Sequence, residues 1–258
     1  MVHTTDFEVI IIGGSYAGLA AAMSLGRALR QVLVIDSGKP CNRQAPHSHN
    51  FITQDGQTPK QILVSAKDQV AKYDTIKFYD GLAASGAKTE SGFEIKTATG
   101  DTFSAKKLIF TTGLKDIMPA LEGFSECWGI SIIHCPYCHG YEVRHEKTGI
   151  LGNGDAGFHY GQLISNWTKQ LVLFTNGKST LTAEQTAKLK QHHIQIIETE
   201  VDRIAQESGQ VSAVILKDKA SVPVRTIYNR PDFVQHSPIP VSLGCEITEQ
   251  GLIKVDAF

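Results

Sequence analysis

The run from Phe7 to Asp36 constrains this chain more than any other stretch. Phe7-Glu8-Val9-Ile10-Ile11-Ile12 is a β-branched apolar run that stops at two glycines, and Leu19 to Leu29 carries Ala, Leu and Met at helical density. Gln31-Val32-Leu33-Val34-Ile35-Asp36 then reads as a second buried strand. The order predicts a βαβ unit with parallel strands and a right-handed crossover. Between strand and helix, Gly13-Gly14-Ser15-Tyr16-Ala17-Gly18 would let a pyrophosphate approach backbone N–H groups at a helix N-terminus. Asp36 stands where an acid bonds a ribose hydroxyl. Ser15 replaces the middle glycine of G-x-G-x-x-G, so the backbone has less room there. A glycine turn without a ligand is the alternative, and the acid closing the second strand argues against it.

A second unit of the same kind follows. Thr148 to Leu151 reads as strand, Gly157 to Trp167 as helix and Gln170 to Thr175 as strand, around Gly152-Asn153-Gly154-Asp155-Ala156-Gly157. This loop satisfies G-x-G-x-x-G in full. Asp155, however, puts a carboxylate where a phosphate would arrive, and the two repel unless the side chain turns away as a cap. Between the units, Ile76 to Thr111 alternates short strands with turns at Ser91-Gly92 and Thr99-Gly100-Asp101, as an inserted β-meander would. The expected fold is α/β, with two Rossmann-like domains: residues 1–116 begin the first, 117–228 form the second, and 229–258 return to the first.

Composition narrows the function classes. Lys and Arg total 25 against 26 Asp and Glu, and a net charge of -1 offers nucleic acid or an acidic membrane no electrostatic hold. Met1 to Asp6 lead into the first strand without the basic region and cleavage site of a secretory signal. No apolar run approaches the roughly 20 residues of a membrane span. Five cysteines, at 41, 127, 135, 138 and 245, include one close pair, unlike a secreted disulfide framework. A cytoplasmic protein is expected, with no nucleic-acid or membrane partner.

His134-Cys135-Pro136-Tyr137-Cys138-His139-Gly140-Tyr141-Glu142 is the most informative stretch. A C-x-x-C pair on a turn opening into a helix brings two sulfurs within bonding reach, and a helix N-terminus with a nearby charged histidine would stabilise a thiolate. Such a pair can cycle between dithiol and disulfide. A zinc knuckle and a structural pair are the alternatives. Structural zinc wants a closed set of four ligands, and no second C-x-x-C or H-x₃-H accompanies this one; no metal is expected. Upstream, Leu108-Ile109-Phe110-Thr111-Thr112-Gly113 is a buried strand ending in a turn, with no functional content by itself.

Taken in order, a glycine loop, a Thr-Thr-Gly crossover, a C-x-x-C pair and a second glycine loop resemble the low-molecular-weight thioredoxin reductases. The resemblance spans nearly the whole chain. It implies an FAD site at Gly13, Gly14, Ser15, Ala17, Gly18 and Asp36, with Thr112 and Gly113 where the chain leaves the FAD domain. It further implies that Cys138 exchanges electrons with the flavin while Cys135 meets the external substrate, a thioredoxin-like protein or a small dithiol or disulfide. A homodimer is expected. The family usually carries Asp after the second cysteine; His139 stands there instead, as a titratable acid/base or a solvent-facing residue. Cys-Pro-Tyr-Cys-His-Gly is more similar to relatives that include oxygen-dependent dithiol oxidases of small metabolites. A nicotinamide at Gly152, Gly154 and Gly157 is left open, because Phe174-Thr175-Asn176-Gly177-Lys178 has neither the His-Arg-Arg cluster of NADPH users nor the acid of NADH users. Gly251 to Phe258 resembles a late strand of the FAD domain. The Gly-Asp pair and final helix that follow it in the family are not in the sequence, and a non-catalytic flavin-binding module is a further alternative. His236 is a second candidate proton acceptor.

Overall fold

The computed structural model describes residues 6–256. Residues 1–5, on which the absence of a secretory leader was argued, and the last two of the expected C-terminal strand lie outside the described residues. Contacts divide the chain into two units. One comprises the residues up to Arg43, Pro59–Asp116 and the chain from Phe233 onward; the other comprises Gln44–Thr58 and Ile117–Asp232.

The first unit is built from β1 (Asp6–Ile12), α1 (Tyr16–Arg27), β2 (Val32–Asp36), α2 (Pro59–Val70), β3 (Ile76–Asp80), β4 (Ala83–Thr89), β5 (Gly92–Thr97), β6 (Thr102–Phe110) and β7 (Leu114–Ile117). A six-stranded sheet runs in the order β3-β2-β1-β6-β5-β4. Strands β3, β2, β1 and β6 are parallel, and β6, β5 and β4 antiparallel. In the two central strands, residues 9–12 and 32–35 read as unbroken apolar runs because both faces are covered: Ile10, Ile11, Val32 and Val34 are all fully buried. Each such side chain contributes about 1.5–3 kcal/mol. The meander expected over 76–111 is therefore only partly a meander. Its first strand, β3, joins β2 in parallel, and β6 is long enough to pair with β1 on one side and β5 on the other. Helix α1 ends before Leu29, whose φ of 59° is left-handed.

The second unit contains α3 (Phe124–Cys127), β8 (Ile132–Ile133), α4 (Pro136–His139), β9 (Thr148–Leu151), α5 (Gly154–Ile164), β10 (Leu171–Phe174), α6 (Ala183–Gln191), β11 (Gln195–Ile197), β12 (Val201–Glu207), β13 (Gln210–Leu216), β14 (Ser221–Pro223) and β15 (Thr226–Tyr228). Its parallel sheet has the order β11-β10-β9-β15-β8, beside an antiparallel β12-β13-β14 sheet. Helix α5 starts at Gly154, ahead of the expected Gly157, because Asn153 supplies its cap. Gln44–Thr58 lies between β2 and α2 in sequence yet clusters with this unit, a departure from a single first domain over 1–116.

The chain returns through β16 (Asp232–Gln235), which pairs with β7, and α7 (Ile239–Ser242), whose Ile239 is buried in the first core. Beyond it, the expected terminal strand is only a bridge between Ile247 and Ile253. Among the described residues no helix is long and apolar enough to cross a membrane.

Candidate functional site

The first glycine loop is shaped by close approach. A Cβ on Gly13 would meet the Thr111 carbonyl, one on Gly18 would meet the Gly13 carbonyl, and one on Gly14 would come within 2.8 Å of the Asp36 Cβ. Gly13 also has φ 106°, open to glycine at little cost. Ser15 departs from the motif without strain, at φ -87° and ψ -163°. It makes no side-chain cap to α1. Asp36 stands against Gly14 at the end of β2. Helix N-terminus, small loop and acid fit the pyrophosphate and ribose of FAD. Thr111, one residue before the Thr112-Gly113 pair, fastens the loop: its hydroxyl donates to the carbonyls of Gly13 at 2.7 Å and Ile12 at 3.1 Å. Gly113 itself has φ 69°, and its carbonyl accepts from the His236 N–H at 3.4 Å, so exposed His236 stands beside the crossover turn.

The second glycine loop is closed on itself. Asn153 Oδ1 accepts from the N–H of Gly154 at 2.8 Å, the N–H of Thr180 at 2.8 Å and the hydroxyl of Thr180 at 3.2 Å. Its Nδ2 donates to the carbonyls of Thr175 at 3.3 Å and Lys178 at 2.9 Å. The carboxamide oxygen thus takes the helix N–H that a phosphate would need, and the loop after β10 is laced across the glycines. Asp155 does turn away, accepting from Gln185 Nε2 at 2.7 Å in α6. A phosphate seated here would have to displace the Asn153 carboxamide from the Gly154 N–H. The signal was in the sequence: Asn is a preferred N-cap residue, and it sits inside the motif.

Cys135 and Cys138 are joined as a disulfide with Cα atoms 5.3 Å apart. Pro136 at the first position of α4 starts the turn, and the N–H groups of Cys138 and His139 donate to the Cys135 carbonyl. Helix α4 is four residues long, which corrects the expectation of a helix N-terminus stabilising a thiolate, because a single turn carries little dipole. Behind the pair, the His134 ring stacks on Trp128 at 5.8 Å and the His134 carbonyl accepts from the Tyr160 hydroxyl at 2.9 Å. Tyr137 and Tyr141 are 62% and 65% exposed at its rim. Among the described residues no three His, Cys, Asp or Glu side chains group as a metal set.

His139 is half-buried, and burial lowers its pKa below the ordinary histidine value; Glu142 opposes that shift, while His49 and His134 add to it. At neutral pH the ring is therefore an uncharged acceptor rather than the cation expected beside a thiolate. Cys127, the remaining cysteine of this unit outside the pair, is buried, and burial raises its thiol pKa, which leaves it inert.

The comparisons agree with this geometry. Residues 7–258 match the family described as pyridine nucleotide-disulphide oxidoreductase. Thioredoxin reductases of Claviceps purpurea and Aspergillus oryzae are 34% and 36% identical over 69% of this chain. The matches cover 58% and 59% of those proteins, so the chain spans less than two thirds of these curated relatives. The solved structure of an oxidoreductase from Agrobacterium tumefaciens is 34% identical with a TM-score of 0.91, covering 98% of this chain and 85% of its own. With a loop that fits FAD, a disulfide one turn long and this match, the chain belongs to the pyridine nucleotide-disulphide oxidoreductase family, on its thioredoxin-reductase-like side.

Proposed function

We propose that this chain acts as a flavoprotein disulfide oxidoreductase, passing electrons between FAD and a thiol substrate through Cys135 and Cys138. The observation that carries the reading is the Cys135–Cys138 disulfide with His139, its pKa lowered, in the same turn. FAD, held at Gly13, Gly14, Gly18 and Asp36, supplies two-electron redox chemistry. Cys135 exchanges with the substrate, Cys138 is the flavin-side sulfur, and His139 takes the proton of an entering thiol or returns it to a leaving one.

The closed second loop favours one direction of flow. With Asn153 in the anion seat, electrons enter from a dithiol rather than from a nicotinamide, as in a dithiol oxidase that hands them on to oxygen. A small dithiol is then the substrate; a thioredoxin-like protein fits the reverse direction. Homodimer formation and a cytoplasmic location belong to the same reading. The test is anaerobic mixing of the yellow protein with NADPH, NADH or dithiothreitol. Bleaching of the flavin by dithiothreitol alone supports the oxidase direction, and rapid bleaching by NADPH or NADH overturns it in favour of a reductase.

A further inference from the structure

Gln44–Thr58 clusters with the disulfide-bearing unit although its neighbours in sequence belong to the other, and the functional reading above gives it no role. The segment is closed by its own hydrogen bonds: Ser48 N–H to the Gln57 carbonyl at 2.8 Å, Gly56 N–H to the Ser48 carbonyl at 2.9 Å, and Asn50 N–H to Asp55 Oδ1 at 2.8 Å. Thr53 sits at φ 71°, a region that strains a β-branched side chain, so packing rather than backbone preference imposes the shape.

Within the segment, the His49 imidazole stands between two carboxylates. Its Nδ1 is 3.6 Å from Asp55 Oδ2 and its Nε2 is 3.6 Å from Glu142 Oε1. Asp55 is fixed through its other oxygen by Asn50, and Glu142 lies in the turn that follows His139. His49 is the shielded member, with 22% side-chain exposure against 66% for Asp55 and 41% for Glu142. The charged groups acting on His139 are Glu142, His49 and His134. Those facing His49 are Asp55, Glu142 and His139 itself, with the His47 ring 6.3 Å away.

We propose that His49 is a positioning residue for acid–base chemistry at the Cys135–Cys138 disulfide, bridging Asp55 and Glu142 so that the Glu142 carboxylate is held beside His139. The proposal rests on the disulfide function proposed above. When a thiol enters, its S–H gives the proton to His139 and its sulfur bonds to one cysteine sulfur. The Cys135–Cys138 bond breaks with its electron pair left on the other sulfur as a thiolate. In the reverse step the imidazolium returns the proton to the departing sulfur. An imidazole that takes up a proton is stabilised by a nearby carboxylate, and an exposed glutamate turns to water unless something holds it. In the proposal His49 holds Glu142 by ion-pair attraction at 3.6 Å, with Asp55 at the same distance on its other nitrogen.

The experiment is the pH–rate profile for reduction of the disulfide by dithiothreitol, together with an NMR titration of the His139 ring. Glu142→Gln removes the carboxylate, so the His139 limb moves to lower pH by roughly one unit. His49→Gln moves it in the same direction, and the double variant moves it no further than Glu142→Gln alone. An upward shift in His49→Gln would make His49 only a positive charge repelling the His139 proton, and an unmoved limb would make it structural; either result overturns the proposal. Should His49→Gln fail to fold, Asp55→Asn replaces it, with the same downward shift expected and an unmoved limb overturning the proposal. A wild-type profile from which His139→Ala removes nothing overturns instead the role of His139, a result distinct from a His139 limb that ignores His49.

Discussion

Thr111 and Gly13 are joined across the first unit by a hydrogen bond, the Thr111 hydroxyl donating to the Gly13 carbonyl at 2.7 Å. The end of β6 therefore fastens the glycine loop that follows β1. Thr111→Val keeps the side-chain shape and removes the donor, and we expect a loss of about 1 kcal/mol in unfolding free energy. Gly18→Ala is expected to be worse. Its methyl meets the Gly13 carbonyl, and a clash with backbone costs about 1–3 kcal/mol. FAD titration monitored by flavin fluorescence should show affinity falling for both, by on the order of tenfold for Gly18→Ala. Unchanged affinity in Gly18→Ala would separate this loop from the cofactor.

Where one stretch of sequence carries both the pattern and its partner, the fold was legible. The first strand, loop, helix and acid lie within Phe7 to Asp36, and all three elements are present, although α1 runs Tyr16–Arg27 rather than Leu19 to Leu29. The Cys135–Cys138 turn is equally local. What was not legible depends on partners far apart in the chain. Helix α2 buries only Pro59, Ile62 and Val70, too sparse an apolar face to read from its residues. Segment 44–58 gave no sign that it would cluster with the second unit, because the Glu142 that meets His49 is distant in sequence. Thr111 looked like part of a turn because its acceptors, Ile12 and Gly13, belong to another strand.

Asn153 accepts three hydrogen bonds and donates two, tying Gly154, Thr175, Lys178 and Thr180 together. Asn153→Ala removes a helix cap and four loop links at once. Because the loop is half exposed and water replaces part of what is lost, the expected cost is about 2 kcal/mol. Urea unfolding followed by far-UV circular dichroism measures it. A change below a few tenths of a kcal/mol would mean that the loop holds its place without this side chain.

His139 sets the pH dependence of thiol entry. As a proton acceptor it must be neutral, so the rate rises with pH through its pKa. Burial places that pKa below the ordinary value of 6.5, and the limb should lie on the acid side of that value. His139→Ala should remove the limb and leave FAD bound, since no FAD-loop residue depends on it. A stopped-flow profile with an intact limb would return His139 to a structural role. The same shift acts on stability. The unfolded chain binds the His139 proton more readily than the folded one, so this contribution is present above the unfolded pKa and is lost as pH falls through the folded pKa.

The two sulfurs should behave differently when each is left alone. Cys135→Ser leaves Cys138 and Cys138→Ser leaves Cys135, and either change must abolish turnover because no internal disulfide can then form. If Cys135 meets the substrate, the Cys138→Ser variant should trap a stable mixed disulfide with a small disulfide reagent, readable by mass spectrometry as an adduct on Cys135. The Cys135→Ser variant should trap it more slowly. If Cys138 is the flavin-side sulfur, its lone thiolate in Cys135→Ser should add a broad long-wavelength absorption in the presence of FAD, absent from Cys138→Ser. That band should fade as acid protonates the thiolate, which distinguishes it from scattering or flavin released into solution. Faster trapping on Cys138 together with the band in Cys138→Ser would exchange the two assignments, and full turnover in either variant would remove the pair from the reaction.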